Sequence, residues 1–467
     1  MTGGNLWVDR FRGLDDLNVI RKRTLIAAEP NQALMTGPPA LAAVLLDAEL
    51  ARIFYPTDRA CQIILEHVQR AMAFAQTRYP SLTSFLSFAN PDHPPAGAES
   101  FWCLTGPAGV GKSAVMAALE RLMPAPQVAR VTPEYPKQPV VAMRRLVVKA
   151  KSSEANLMRD LGNKAVLEGH QRMGRSDLLK HTRQWLLTTG VCALACDELQ
   201  FVTQSAQANT KVAQLLLAMS YLMIPSTYVA NYSLVNRLKG RPQEEQQRLL
   251  AHPVLLLPDH PESRCWMNVL STCLAAAPDA FDLDPERHGR DLHCYTAGLK
   301  RNLRRLLVLA FQLARSRGGT SKVSIADVRT AYRSSAFSVL RTDVEASIAV
   351  STGDSFTRRT RSDLVCPIEG LDEVRSLISK APDPRKEALA AAVLRGALSK
   401  EERHAAESLR RAAEQNSGES TQVVVPLRKP KVAITVDELI RGGTAARRKA
   451  LSVGAKEASD EKTPRGR

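Results

Sequence analysis

The sequence predicts an α/β fold, a parallel five-stranded sheet covered on both faces by helices and followed by an all-helical unit. Three observations carry this prediction. A glycine-rich loop, Gly106-Pro107-Ala108-Gly109-Val110-Gly111-Lys112-Ser113, joins the apolar run Phe101-Trp102-Cys103-Leu104 to a helical stretch from Ala114 to Leu122. Apolar runs then alternate with helical periodicity up to about residue 260. One of those runs, Val191-Cys192-Ala193-Leu194-Ala195-Cys196, ends in two acids, Asp197-Glu198.

In chain order, residues 1–95 read as an N-terminal helical extension. Ile63, Ile64, Val68 and Met72 recur at helical spacing between Ala60 and Phe74, and Asn90-Pro91-Asp92-His93-Pro94-Pro95 breaks the chain before the first strand. The α/β unit spans 96–260, with strands expected at 101–105, 140–149, 190–196, 226–231 and 254–257. Its helices are expected at 113–122, 153–168, 175–188 and 209–223. Residues 261–345 read as a helical lid with helices at 262–276, 298–316 and 324–334, where Ser324 before Ile325-Ala326-Asp327 marks a start. Residues 346–467 read as a linker and partner-binding tail. Thr357–Arg361 is a charged linker, and Pro384–Gln415 is alanine-rich and helical, with Ser399 and Glu402 as a capping box. The basic end from Ala445 to Arg467 is expected to be disordered.

The glycine-rich loop matches G-x-x-x-x-G-K-[ST], whose spacing lets successive backbone N–H groups surround phosphate oxygens. Lys112 reaches the β- and γ-phosphates, and Ser113 offers a hydroxyl to Mg²⁺. The helix that follows adds its positive end. In a parallel sheet, ligands bind beyond the C-terminal strand ends, and Asp197 and Glu198 fall at such an end. Asp197 then holds Mg²⁺ through water or through Ser113, and Glu198 orients and polarises the attacking water. Guanine-reading proteins carry N-K-x-D; the lookalike Asn163-Lys164-Ala165-Val166 lacks the acid, so ATP is the expected nucleotide.

Five further residues are candidates to extend the site. Asn231, in Tyr228-Val229-Ala230-Asn231, ends the fourth strand, where it either places the water beside Glu198 or caps the next helix. Arg237, Arg241 and Arg248 precede the last strand; Arg248 is the candidate finger for a neighbouring subunit's γ-phosphate, the alternative being a solvated helix residue. Arg301 is placed on the lid, to touch the γ-phosphate from above or to face solvent or DNA.

Net charge is +17 with pI about 9.7, which favours a polyanionic partner; the plainer alternative is solubility plus a basic tail. Arg144, Arg145, Lys149 and Lys151 flank the second strand of the sheet, and Arg172 and Arg175 precede the following helix. On one surface they would meet phosphate backbones without reading bases, and otherwise they form a solvated face. No zinc finger, homeodomain or aromatic RNA-binding signature points to sequence specificity. The eight cysteines form no C-x-x-C pair and read as reduced thiols of a cytoplasmic protein. The N-terminus does not read as a signal peptide, and the apolar stretch Val212–Ile224 is too short to span a bilayer.

The phosphate loop, the Asp197-Glu198 strand end, Asn231 and a lid carrying Arg301 together resemble an AAA+ ATPase. Cys196-Asp197-Glu198-Leu199-Gln200, Tyr228 to Leu234, Arg241-Pro242-Gln243-Glu244-Glu245 and Tyr332 to Phe337 resemble, more narrowly, the TnsC/TniB family of DNA-transposition regulators, cousins of MuB. The likeness covers about residues 50–345. It implies an ATP-dependent, oligomerising adaptor on duplex DNA that links a target-selection protein to transposase subunits. Lys112, Ser113, Asp197, Glu198, Asn231 and Arg301 carry over to the nucleotide site by motif position, whereas the arginine finger carries over poorly. The same motifs also suit a helicase loader, a replication initiator, or a signalling or defence ATPase. A P-loop kinase is disfavoured by the acid pair and the lid.

Overall fold

The computed structural model of the protein describes residues 5–31, 33–87, 101–133, 136–148, 153–162, 173–199, 208–318, 322–351 and 355–368. The N-terminal helices are α1 (Leu6–Asp9), α2 (Leu17–Thr24), α3 (Ala33–Thr36), α4 (Pro39–Arg52), α5 (Asp58–Arg78) and α6 (Leu82–Ser87). Thr57 caps α5 by accepting the Ala60 N–H, and the helix buries Ile63, Ile64, Val68 and Ala71 on one face. These helices divide between two cores. Trp7, Phe11, Ile63, Ile64 and Tyr79 pack into the core of the sheet, whereas Leu34, Ala42, Leu46 and Leu50 pack into that of the lid. Burying each such large side chain contributes about 1.5–3 kcal/mol, so the N-terminal helices help to hold both bodies together.

The next elements are β1 (Phe101–Thr105), α7 (Lys112–Leu122), β2 (Gln127–Ala129), β3 (Gln138–Val140), β4 (Met143–Val147), α8 (Glu154–Leu161) and α9 (Arg175–Thr188). They are followed by β5 (Ala193–Asp197), α10 (Ala208–Ser220), β6 (Ser226–Ala230), α11 (Tyr232–Lys239), α12 (Gln243–Leu249) and β7 (His252–Leu255). Five strands form one parallel sheet in the order β4-β5-β6-β1-β7. Strands β5 and β6 are buried along their whole length, as central strands of a covered parallel sheet are, and the hydroxyls of Ser226 and Thr227 at the start of β6 are hydrogen-bonded. The register pairs Thr105 with Ala230 and Cys196 with Tyr228, which brings the C-terminal ends of β1, β6 and β5 side by side. β6 lies between β1 and β5, so the chain crosses over there and opens the crevice where α/β sheets bind ligands.

The expected strand 140–149 is two strands. Its first residue, Val140, pairs with β2 in a small antiparallel hairpin. The carbonyl of Ala142 then accepts the N–H groups of Cys192 and Ala193 as β4 joins the parallel sheet. Helix α8 runs to Leu161 with Gly162 at its C-cap, and residues 163–168 of the expected helix lie outside the described residues. Helices α11 and α12 lie outside the expected helix ranges, although a helix after Asn231 is one of the two readings of that residue. Cys192 and Cys196 are buried, and all eight cysteines are free thiols.

The lid comprises α13 (Arg264–Leu274), α14 (Pro285–Thr296), α15 (Lys300–Ser316), α16 (Ile325–Arg333), α17 (Ser338–Ser351) and α18 (Ser355–Thr360). The start at Ser324 is a capping box, with the Asp327 carboxylate accepting the Ser324 N–H at 2.9 Å. Helix α14 is absent from the sequence reading, although Asp284-Pro285-Glu286 carries its signal: an Asp cap, then Pro in the first turn. Thr357–Arg361, read as linker, is largely helical and returns to the α/β body. Asn236 and Lys239 of α11 donate to the Ser362 and Pro367 carbonyls at 3.2 and 2.9 Å. The tail helix with Ser399 and Glu402, and the basic end, lie outside the described residues.

Candidate nucleotide-binding site

The phosphate loop fits where only glycine can pass. A Cβ on Gly106 would lie 2.1 Å from the Leu256 carbonyl oxygen. Gly109 has φ +85°, and a Cβ there would lie 3.0 Å from the Cβ of Arg301. The backbone N–H of Arg301 donates to the Gly109 carbonyl at 3.1 Å, so the N-terminus of α15 meets the phosphate loop. Loop and lid therefore close on each other through backbone contact, and the positive ends of α7 and α15 face one cavity.

Lys112 is buried, and its ammonium donates to the carbonyls of Gly106 and Pro107 at 2.9 and 3.0 Å. Burial, and then the nearby positive charge of Arg301, push its pKa down to about 8. Ser113 Oγ donates to Asp197 Oδ1 at 3.0 Å, and the Glu198 N–H donates to the same oxygen at 2.9 Å. Among the described residues no group of three or more His, Cys, Asp or Glu could hold a metal. A hydroxyl and a carboxylate side by side do fit Mg²⁺, which takes one or two protein oxygens and completes its shell with phosphates and water.

Glu198 follows Asp197 with φ +63°, a left-handed conformation uncommon for a non-glycine residue. Such strain concentrates at functional positions. Asn231 occupies the N-cap position of α11, but its side chain makes no capping bond and lines the cavity instead. Geometry thus places both acids, Asn231, Lys112, Ser113 and Arg301 around one space of about 380 Å³. Pro107 contributes its carbonyl, and Val110 is buried beneath the loop.

The far end of the cavity is lined by Leu50, Ile53, Phe54 and Tyr55 from the end of α4 and beyond, with Val269 and Cys273 of α13. Sequence reasoning missed this end. An apolar lining of this kind leaves no motif, and its walls come from segments more than two hundred residues apart in the chain.

Arg248 is exposed on the last turn of α12 and is not among the residues lining the cavity. Arg241 forms a bidentate pair with Glu245 at 2.8 and 3.2 Å. Arg145 leaves the basic surface suggested for it and turns to Asp197 Oδ2 at 3.2 Å. Arg144 donates to the Asp160 carbonyl. Arg175 is exposed and paired with Glu154. Lys149, Lys151 and Arg172 lie outside the described residues. No helix of the described residues is long and apolar enough to cross a membrane.

Residues 96–227 match the family model described as an AAA domain. No curated protein matches the chain in sequence. Among solved structures it is similar to the Aeropyrum pernix ORC1 protein in complex with DNA, at 16% identity over 64% of this chain and 80% of that one, with a TM-score of 0.36. It is also similar to a katanin structure described in terms of self-assembly, at 12% identity over 66% of this chain and 96% of that one, TM-score 0.35. A third is domain III of the Thermotoga maritima replication initiation protein DnaA, at 11% identity over 54% and 88%, TM-score 0.31. Overlaps this loose carry no argument about partners. The match over residues 96–227, the parallel sheet and the loop at its strand ends together give this chain an α/β P-loop NTPase fold.

Proposed function

We propose that the protein is an ATP-dependent DNA-binding ATPase that oligomerises on target duplex DNA, in the cytoplasm, and links target selection to transposase recruitment. One observation carries the ATPase reading: Ser113 and Asp197 meet at 3.0 Å beneath a loop that the lid residue Arg301 touches. Lys112 and the loop N–H groups bind the phosphates, and Arg301 senses the terminal one. Ser113 and Asp197 would hold Mg²⁺, which neutralises phosphate charge when bound. Glu198 accepts a proton from the attacking water, and Asn231 helps to orient it. Arg248, exposed and away from its own cavity, reaches a neighbouring subunit's γ-phosphate in the oligomer.

The DNA and transposition roles are supported by the +17 charge and by the resemblance to TnsC/TniB regulators. Lys149, Lys151 and Arg172, with Arg175 less available through its Glu154 pair, are the proposed backbone contacts. Equilibrium DNA binding tests this reading. Binding should require ATP, accept any duplex sequence and fall steeply with salt. Replacing Lys149 and Lys151 by Ala should lower the salt slope by about one unit per lost phosphate contact. Tight binding without nucleotide, or a strong sequence preference, overturns it.

A further inference from the structure

Asp197 is 2% exposed, and both of its carboxylate oxygens accept hydrogen bonds. Oδ1 accepts from Ser113 Oγ and from the Glu198 N–H, and Oδ2 accepts from Arg145 Nη2 at 3.2 Å. The other arm of the guanidinium, Nη1, lies 3.3 Å from Glu120 Oε2 on α7. Arg145 Nε is buried with no acceptor, so the guanidinium is held by its two acids at some cost in hydrogen bonding. Arg145 sits on β4, two residues before Val147, which pairs with Asp197 in the sheet. From there its long side chain runs forward to the strand end.

A guanidinium and a divalent cation cannot both take full advantage of one carboxylate in a water-poor site. We propose that Arg145 is a positioning residue that guards Asp197, so that Mg²⁺ enters the site only together with nucleotide phosphates. Glu120 is the counterweight: by sharing the guanidinium it limits Arg145's hold on Asp197. The device gives the protein a reason to ignore free divalent cations and to complete its site only when loaded. It rests on the reading of Ser113 and Asp197 as the cation pair.

The test is an equilibrium titration of MgCl₂ into full-length protein with a fluorescent, non-hydrolysable ATP analogue, reading the half-saturating Mg²⁺ concentration for nucleotide binding. Arg145→Gln should lower it by about tenfold, the equivalent of one charge-assisted hydrogen bond no longer opposing the metal. Glu120→Gln, a change at an accessible helix position, should raise it, since the guanidinium then belongs to Asp197 alone. A structural role for Arg145 would not move the two variants in opposite directions. An unchanged or higher Mg²⁺ requirement in Arg145→Gln, with the wild type clearly Mg²⁺-dependent, overturns the guard alone. A wild type that binds the analogue equally well without Mg²⁺ overturns the cation-pair reading and the guard with it.

Discussion

The depressed pKa of Lys112 makes nucleotide affinity depend on pH in a calculable way. In the free protein the ammonium is 6% exposed and holds only two carbonyls, and it titrates at about 8. Bound phosphates supply opposite charge and raise that value, so the complex keeps a proton that the free protein releases as pH rises. Well below pH 8 the lysine is already charged and affinity is flat. As pH rises through 8 a growing share of binding events must first take up a proton, and Kd rises as 1 + 10^(pH − 8), approaching tenfold, or about 1.4 kcal/mol, per unit. From pH 7.5 to pH 9 the loss is about eightfold. Calorimetry in two buffers of different ionisation enthalpy should show uptake of about half a proton at pH 8. Lys112→Arg keeps its charge and should flatten the profile even if it binds more weakly. Constant wild-type affinity between pH 7.5 and 9, or net proton release, refutes the argument.

Glu198→Gln should keep nucleotide bound and lose about 10²-fold or more in turnover, because an amide cannot take the water's proton; near-normal turnover in a single-turnover assay removes Glu198 from that role. Glu198→Gly should also abolish turnover yet raise the melting temperature. It relieves about 1–2 kcal/mol of left-handed strain, against about 0.4–1 kcal/mol of added unfolded-state entropy; a lower melting temperature contradicts the strain. His67 is buried between the Ile63 carbonyl and Thr227 Oγ1, and His293 lies against the Asp259 carbonyl; burial lowers both to about 4. The unfolded chain binds these protons first, so stability is complete above pH 6.5 and falls as pH drops towards 4, by up to about 1.4 kcal/mol per unit for each histidine. His67→Gln should reduce that slope in acid melts, and an unchanged slope argues against it.

Local rules made much of this protein legible in its sequence. Strand β1, the phosphate loop and α7 follow from an apolar run, glycines and a lysine at fixed spacing, all within one short segment. The acids at the end of β5 and the Ser324 cap are equally local. Tertiary structure decided what depends on segments far apart in the chain. Asn231 holds a capping position but turns its side chain into the cavity, because β6 lies between β1 and β5. Arg145 reads in sequence as one of several surface cations, and only the parallel pairing of β4 with β5 carries it to Asp197. The apolar end of the cavity is built by α4 and α13, whose facing walls meet only when the N-terminal helices join the core of the lid. Periodicity and spacing encode what one element does. Which side chains share a water-poor space, and so shift each other's charge, is set by packing across the whole chain.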